Sequence, residues 1–240
     1  MARPDAEGRA DGGPAAWRYD ELRQVGTDFE DGSQVAAYDA KQGSDPAAEQ
    51  ALIERLGIPP GAVVVDLGCG TASFARAAAR HGATVHAVDV SQAMLDHAQA
   101  RARAEGLSLS WHRAGFLGFD PGEAAVDFVV SRFALHHLPD FWKQVALLRL
   151  ARMLRSTGHL YLRDVTFSFP AAEYERGIGA WLERMPRVSG YSREEFETHV
   201  REEHSTFAWV LDGMLDRAGF EILEARRPQP EYAEWICRRR

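Results

Sequence analysis

The chain has 240 residues, of which 45% are hydrophobic, 26% charged and 10% aromatic, the balance of a folded globular protein rather than a disordered, collagenous or coiled-coil one. Its 28 Lys and Arg stand against 35 Asp and Glu, a net charge of −7, the wrong sign for gripping a phosphate backbone, so nucleic acid is not an expected partner. Two cysteines, Cys69 and Cys237, form neither a disulfide framework nor a zinc spacing, and the apolar runs are strand-sized. The expectation is a cytoplasmic protein without membrane attachment, monomeric or homodimeric.

Residues 1–16 are rich in Gly, Ala, Pro and Asp without periodicity and read as a disordered leader. Residues 17–240 are expected to form a single domain. Within it, residues 17–60 turn helical, with Trp17, Tyr19, Phe29 and Tyr38 interleaved with acids, and predict short N-terminal helices. From there short β-branched runs alternate with Ala-rich helical stretches, the signature of βαβ units. Val63, Val64 and Val65 form a continuous apolar run, as in a parallel strand buried on both faces. Further strands are predicted at 84–88, 107–112, 126–130 and 159–165. Ser91 is a good N-cap for a helix whose apolar face is Met94, Leu95, Ala98 and Ala102. Pro139 and Asp140 open another helix, carrying Leu147, Leu150, Ala151 and Leu154 and stopping near Gly158. Residues 168–204 mix Pro, Gly and aromatics around a capping box at Ser192 and Glu195, and read as an inserted helical cap. Phe207, Val210, Leu211, Met214 and Ala218 make one face of a core helix. Strands near 221–225 and 232–237, separated by Pro228 and Pro230, read as a hairpin.

The densest constellation is Asp66-Leu67-Gly68-Cys69-Gly70-Thr71-Ala72, where a buried strand runs into a tight turn and then a helix. Glycine lets the backbone turn sharply and lets a ligand lie against it. Ligands of open α/β sheets sit at the carboxyl ends of the strands. Asp89 ends the second strand and can accept from both hydroxyls of a ribose. Together these predict a nucleoside cofactor. A dinucleotide fingerprint wants a glycine where this chain has Ser73, and an acid at Asp66 sits badly beside a pyrophosphate, so the charge pattern favours a cationic nucleoside. An NAD(P)-dependent oxidoreductase remains the alternative, because Asp89 suits that ribose equally; a non-catalytic protein that binds S-adenosylmethionine is a second.

Asp66-Leu67-Gly68-Cys69-Gly70 resembles motif I of the class I S-adenosylmethionine-dependent methyltransferases of the small-molecule type. Tyr38-Asp39, Asp89-Val90-Ser91-Gln92-Ala93-Met94-Leu95 and residues 127–140 extend the resemblance over roughly 35–238. The resemblance implies a Rossmann-like, doubly wound, seven-stranded and mostly parallel sheet with an antiparallel C-terminal hairpin, an N-terminal helical lid and a helical cap after strand five. It implies S-adenosylmethionine as cofactor and a small-molecule methyl acceptor. By the same resemblance, Tyr38 belongs to the pair ahead of the core, Gly68 and Gly70 approach the amino-acid part of the cofactor, and Asp66 orients the turn or its ammonium. Asp89 with Val90 holds the ribose end, Met94 lies against adenine, Gly115 and Phe116 flank it, and Ser131 and Arg132 border the methionine moiety. Three departures stand out: Ala72 in place of a third glycine, Ser156-Thr157-Gly158 in place of Pro-Gly-Gly, and Gly115 or Phe116 in place of an Asp that would accept from the adenine amine.

Methyl transfer from a sulfonium needs a base only when the acceptor begins protonated. His136 and His137, just after strand four, are the candidates, His137 also having a packing role. Adjacent histidines diverge on a helix and do not chelate together, so no metal is expected. The cap aromatics Phe167, Phe169, Tyr174, Trp181 and Tyr191 supply cap core and acceptor-pocket lining. The arginines near the C-terminus read as a solvated strand end, and both cysteines as packed rather than reactive.

Overall fold

Val64 points into one hydrophobic core while Val65 and Leu67 point into the other, so the valine run becomes a central strand covered on both sides. This is β1 (Val63–Leu67) in a computed structural model that describes residues 15–23, 35 and 45–240. Tyr38 and Asp39, most of the predicted N-terminal helices and nearly all of the predicted leader lie outside the described residues. Residues 15–23 form turns, and the N-terminal helix that is described is α1 (Pro46–Leu56), capped by the Asp45 side chain accepting from Ala47 N at 2.9 Å.

The chain continues through α2 (Ser73–Arg80), β2 (Thr84–Asp89), α3 (Gln92–Ala104), β3 (Ser110–Arg113), β4 (Val126–Arg132), α4 (Asp140–Met153) and β5 (Leu154–Phe167). The cap is α5 (Tyr174–Val188) and α6 (Arg193–Glu202), followed by β6 (Thr206–Phe207), α7 (Ala208–Arg217), β7 (Phe220–Gln229) and β8 (Tyr232–Arg239). The sheet runs β3-β2-β1-β4-β5-β8-β7, parallel as far as β5 and antiparallel at β8 and β7. The predicted seven strands are therefore all present, and β6 adds an eighth, a two-residue parallel partner of β5.

One face of the sheet is covered by α4 and α7 through Leu147, Leu150, Leu211 and Leu215. The other is covered by α1, α2 and α3 through Ile53, Phe74, Ala78 and Ala98. A third, small core of Val165, Trp181 and Phe196 sits under the cap, whose helix α6 opens with the predicted Ser192–Glu195 capping box. Among the described residues no helix is long and apolar enough to cross a membrane.

Several boundaries differ from expectation for local reasons. Strand three starts at Ser110 rather than at 107, because Leu107 N spends its hydrogen bond closing α3 on Ala102 O at 2.9 Å. Helix α4 stops at Met153, not near Gly158: Leu154 already pairs with Val126, and Gly158 lies inside β5 at a bulge, where a Cβ would meet Asp127 O at 3.1 Å. Phe207 belongs to β6, so the core helix begins one residue later. The arginines at the end of the chain are paired, Arg238 with Glu221 at 2.5 Å and Arg240 with Asp216 at 2.6 Å.

Candidate active site

The strand–turn–helix from β1 to α2 is held in an unusual backbone conformation. Gly68, Gly70 and Ala72 have φ of +75°, +51° and +59°. Gly68 has no alternative, since a Cβ there would lie 2.3 Å from the Ala134 Cβ. Ala72 tolerates the left-handed region at a cost of about 1–2 kcal/mol, with its methyl fully buried among the α2 core residues. The turn is tied to strand two twice: Gly68 N and Cys69 N both donate to Val88 O, at 2.8 and 3.0 Å. Asp89 completes the tie, its Oδ2 accepting from Gly70 N at 2.7 Å and its Oδ1 from Ser91 N at 2.9 Å. The glycine turn and the acid ending strand two are thus in direct contact.

Asp66 is buried, and its Oδ2 accepts from Ala75 N at 3.1 Å. Beside it, Arg132 at the end of β4 makes a two-pronged ion pair with Glu49 of α1, both N···O distances being 3.0 Å, and stacks over Phe74 at 5.6 Å. Ser73 Oγ donates to the same Glu49 at 2.5 Å. Burial pushes the Asp66 carboxyl up to about 7; Arg132 opposes the rise, while Glu49 and Asp89 add to it. Asp66 thus has two carboxylates and one guanidinium as its charged neighbours in this corner. Glu49 was not among the expected residues, because nothing in a lone helical glutamate marks which way it faces.

At the other end of the turn, Met94 is buried in the first turn of α3, its N donating to Ser91 Oγ at 3.1 Å. Gly115 lies against Val90, a Cβ there coming 3.0 Å from Val90 Cγ1. Phe116 sends its ring into the main core, so its contribution to this loop is backbone. Ser131, fully buried at the end of β4, has a hydroxyl with no hydrogen-bond partner. Burial raises the Cys69 thiol well above its usual range and that of Cys237 to about 12, so neither is a thiolate nucleophile.

His136 and His137 occupy a short 3-10 turn, Leu135–His137, after β4. The two rings differ sharply. His136 is buried, its Nδ1 against Asp164 Oδ1 of β5 and its Nε2 3.0 Å from Glu203 Oε2 at the end of α6. Asp164 also accepts from His136 N at 3.0 Å. Burial works against the charged ring, but Asp164 and Glu203 outweigh it and push His136 up to about 10, so it carries both protons. His137 goes the other way: burial and the neighbouring His136 charge hold it down at about 4, a neutral ring. Its carbonyl accepts from Tyr19 Oη at 3.2 Å.

His199, one turn before Glu203 on α6, closes the cluster, with Nδ1 2.5 Å from Glu203 Oε2 and Nε2 2.8 Å from Ser205 Oγ. His136, His199 and Glu203 are the donor set among the described residues that converges as a metal site would. Glu203 bridges both rings at hydrogen-bonding distance, so ring protons hold the group together as it stands. Asp164 was legible in principle as an acid at the next alternate position after Leu160 and Leu162, on the same face of β5; the His199–Glu203 pair was legible as an i,i+4 couple on a cap helix.

A family model described as a methyltransferase domain matches residues 64–158. An uncharacterized protein of Mycobacterium tuberculosis is 33% identical over 181 residues, covering 72% of this chain, and the chain spans 64% of that relative's length. The methyltransferase GfsG of Streptomyces halstedii is 33% identical over 130 residues, 50% of this chain and 46% of its own. A solved S-adenosylmethionine-dependent methyltransferase from Aquifex aeolicus shares the fold, with a TM-score of 0.62 at 17% identity over 87% of this chain and 98% of its own. The glycine turn and the acid ending strand two thus lie within residues 64–158, the stretch similar to a methyltransferase domain, on a sheet whose fold is shared with S-adenosylmethionine-dependent methyltransferases.

Proposed function

We propose that the protein transfers a methyl group from S-adenosylmethionine to a small organic acceptor whose attacking atom arrives protonated. The observation that carries this reading is the buried imidazole of His136, held between Asp164 and Glu203 at the carboxyl ends of β4 and β5. The residues present fit the cofactor. Burial and the nearby Glu49 and Asp89 keep Asp66 partly protonated beside one guanidinium, so a sulfonium and an ammonium would favour its ionised form, and the unpartnered Ser131 hydroxyl offers a further polar contact at the end of β4. Asp89 ends β2 against the glycine turn, where a ribose would lie in an open α/β sheet. Asp66, Gly68, Gly70, Ser131 and Arg132 would hold the amino-acid end, and Val90, Met94, Gly115 and the Phe116 backbone the nucleoside end.

When bound, the cofactor supplies an electrophilic methyl carbon, and alignment and exclusion of water then account for much of the rate. The chain's own contribution is proton handling. With Glu203 on Nε2, His136 is a cation and accepts nothing. An acceptor O–H or N–H that displaces the Glu203 carboxylate removes one of the two charges that hold the ring cationic, and the Nε2 proton then passes to solvent, leaving a neutral ring whose Nδ1–H stays on Asp164. That freed Nε2 lone pair then receives the acceptor's proton. His137, neutral and pinned through its carbonyl by Tyr19, positions the turn.

Residues 17–240 act in this reading as one unit, in which the aromatic cap, residues 168–204, presents the acceptor. The net charge of −7 fits a small molecule better than a nucleic acid and suits a cytoplasmic monomer or homodimer. Isothermal titration with S-adenosylmethionine, S-adenosylhomocysteine and NADH, run side by side, tests the cofactor. Binding of the first two without NADH is expected. Binding of NADH alone, or of none, overturns the reading.

A further inference from the structure

The loop after β3 holds a carboxylate that does not belong to it. Glu21, in the described N-terminal stretch 15–23, reaches across 96 positions of sequence so that its Oε2 accepts from Leu117 N at 2.8 Å. The Gly115 and Gly118 N–H groups donate to the same carboxylate. A Cβ added to Gly115 would lie 2.5 Å from Glu21 Oε2 and 2.7 Å from its Cδ, and one added to Gly118 would lie 3.0 Å from Oε1. The Glu21 carboxyl therefore fills the space in which a side chain at position 115 would begin, and it bonds the N–H two residues further on, as a short acid at 115 would. Two further contacts fasten the stretch: Trp17 stacks on Trp142 at 6.3 Å with planes 11° apart, and Tyr19 Oη donates to His137 O.

Gly115 also lies against Val90, the residue following the acid that ends strand two, so the carboxylate sits at the nucleoside end of the site. A purine's exocyclic amine donates hydrogen bonds, and a carboxylate already fixed by three backbone N–H groups still has acceptor sites to offer it. We propose that Glu21 is the residue that reads the 6-amino group of the bound nucleoside, supplied from the N-terminal stretch because Gly115 carries no side chain. The proposal rests on the cofactor reading above. It makes the stretch 15–23 part of the binding site, so that nucleoside recognition and the anchoring of Tyr19 on the His137 turn occur together.

The test compares adenine with its 6-oxo counterpart, in which a carbonyl replaces the amine and would face the carboxylate as acceptor against acceptor. The full chain is titrated calorimetrically with S-adenosylhomocysteine and S-inosylhomocysteine, as wild type, E21A, E21Q and E21A/G115D, with circular dichroism melts to show that each variant is folded. The wild type is expected to prefer the amino ligand. E21A should weaken that ligand about ten- to a hundredfold, the range for a hydrogen bond to a charged group, and remove most of the preference. E21Q keeps a carbonyl for Leu117 N–H while presenting an amide donor, so its preference should shrink or reverse. E21A/G115D, with the acid returned in cis, should restore it. Tighter binding of S-adenosylhomocysteine to E21A, or an unchanged preference in both E21A and E21Q, overturns the proposal while leaving the cofactor reading intact. A wild type that binds neither ligand overturns both.

Discussion

Binding of S-adenosylmethionine should expel a proton from Asp66. The carboxyl is raised from 3.8 to about 7 by burial and by neighbouring acids, so near neutrality much of it is protonated in the ligand-free protein. A cationic ligand requires the ionised form. If the complex is fully ionised there, binding releases about 0.9 proton at pH 6, about 0.5 at pH 7 and about 0.1 at pH 8, and affinity falls about tenfold between pH 8 and pH 6. Calorimetry in buffers of different ionisation enthalpy counts the protons directly. Asp66→Asn should abolish the release and flatten the affinity profile. No release between pH 6 and 7, or an undiminished release in Asp66→Asn, would refute the reasoning. The same carboxyl bears on folding, because the native state holds a proton that the unfolded chain has lost between about pH 4 and pH 7. Stability therefore drops as pH rises through that window. The span of 7 − 3.8 = 3.2 units sets an upper bound of about 4 kcal/mol. Ligand-free Asp66→Asn should accordingly melt higher than wild type at pH 8, while binding the cofactor more weakly.

Glu49→Gln removes one of the charges that raise Asp66, so the midpoint of proton release should move to lower pH, read in the same calorimetric series. His136→Ala leaves Asp164 and Glu203 buried without their shared cation, and should cost about 3–5 kcal/mol in denaturant unfolding. Because His136 is raised to about 10, its stabilising effect is complete below pH 6.5 and fades as pH climbs toward 10; wild type should lose melting temperature over that range and His136→Ala should not. Gly68→Ala meets the Ala134 methyl at 2.3 Å in a left-handed conformation and should unfold several degrees lower. Gly68→Ala/Ala134→Gly should recover the steric part of that loss and leave the backbone part, a split that paired melts resolve.

What could be read from the sequence is what local chemistry dictates. The valine run, the glycine turn, the acid ending strand two and the Ser192–Glu195 capping box are short patterns whose residues meet their own neighbours, and each appears in the structure where its pattern places it. What could not be read depends on partners far along the chain. Gly158 looks like a helix stop until Leu154 is seen pairing with Val126, and Phe207 looks helical until it lies against β5. Glu49, Glu203 and Glu21 are three glutamates among many acids, and only tertiary placement sets them against Arg132, His136 and the loop after β3. His136 and His137 are equivalent candidates by sequence, yet their surroundings push their charges in opposite directions, a contrast no adjacency in sequence encodes.

The placement of β8 between β5 and β7 carries a consequence for how the chain is made. Strand β5, the longest in the sheet, gains its antiparallel neighbour only after the cap helices, α7 and β7 have been synthesised. Until then a long row of backbone N–H and C=O groups, flanked by Leu160 and Leu162, stands open on a nascent α/β core that is otherwise able to close. An unfinished edge of this kind is where another chain can add a strand, so the polypeptide is most vulnerable to aggregation in the interval between the emergence of β5 and that of residues 232–239. Slow elongation through the cap would lengthen that exposure, and a chaperone that shields strand edges would have its greatest effect there.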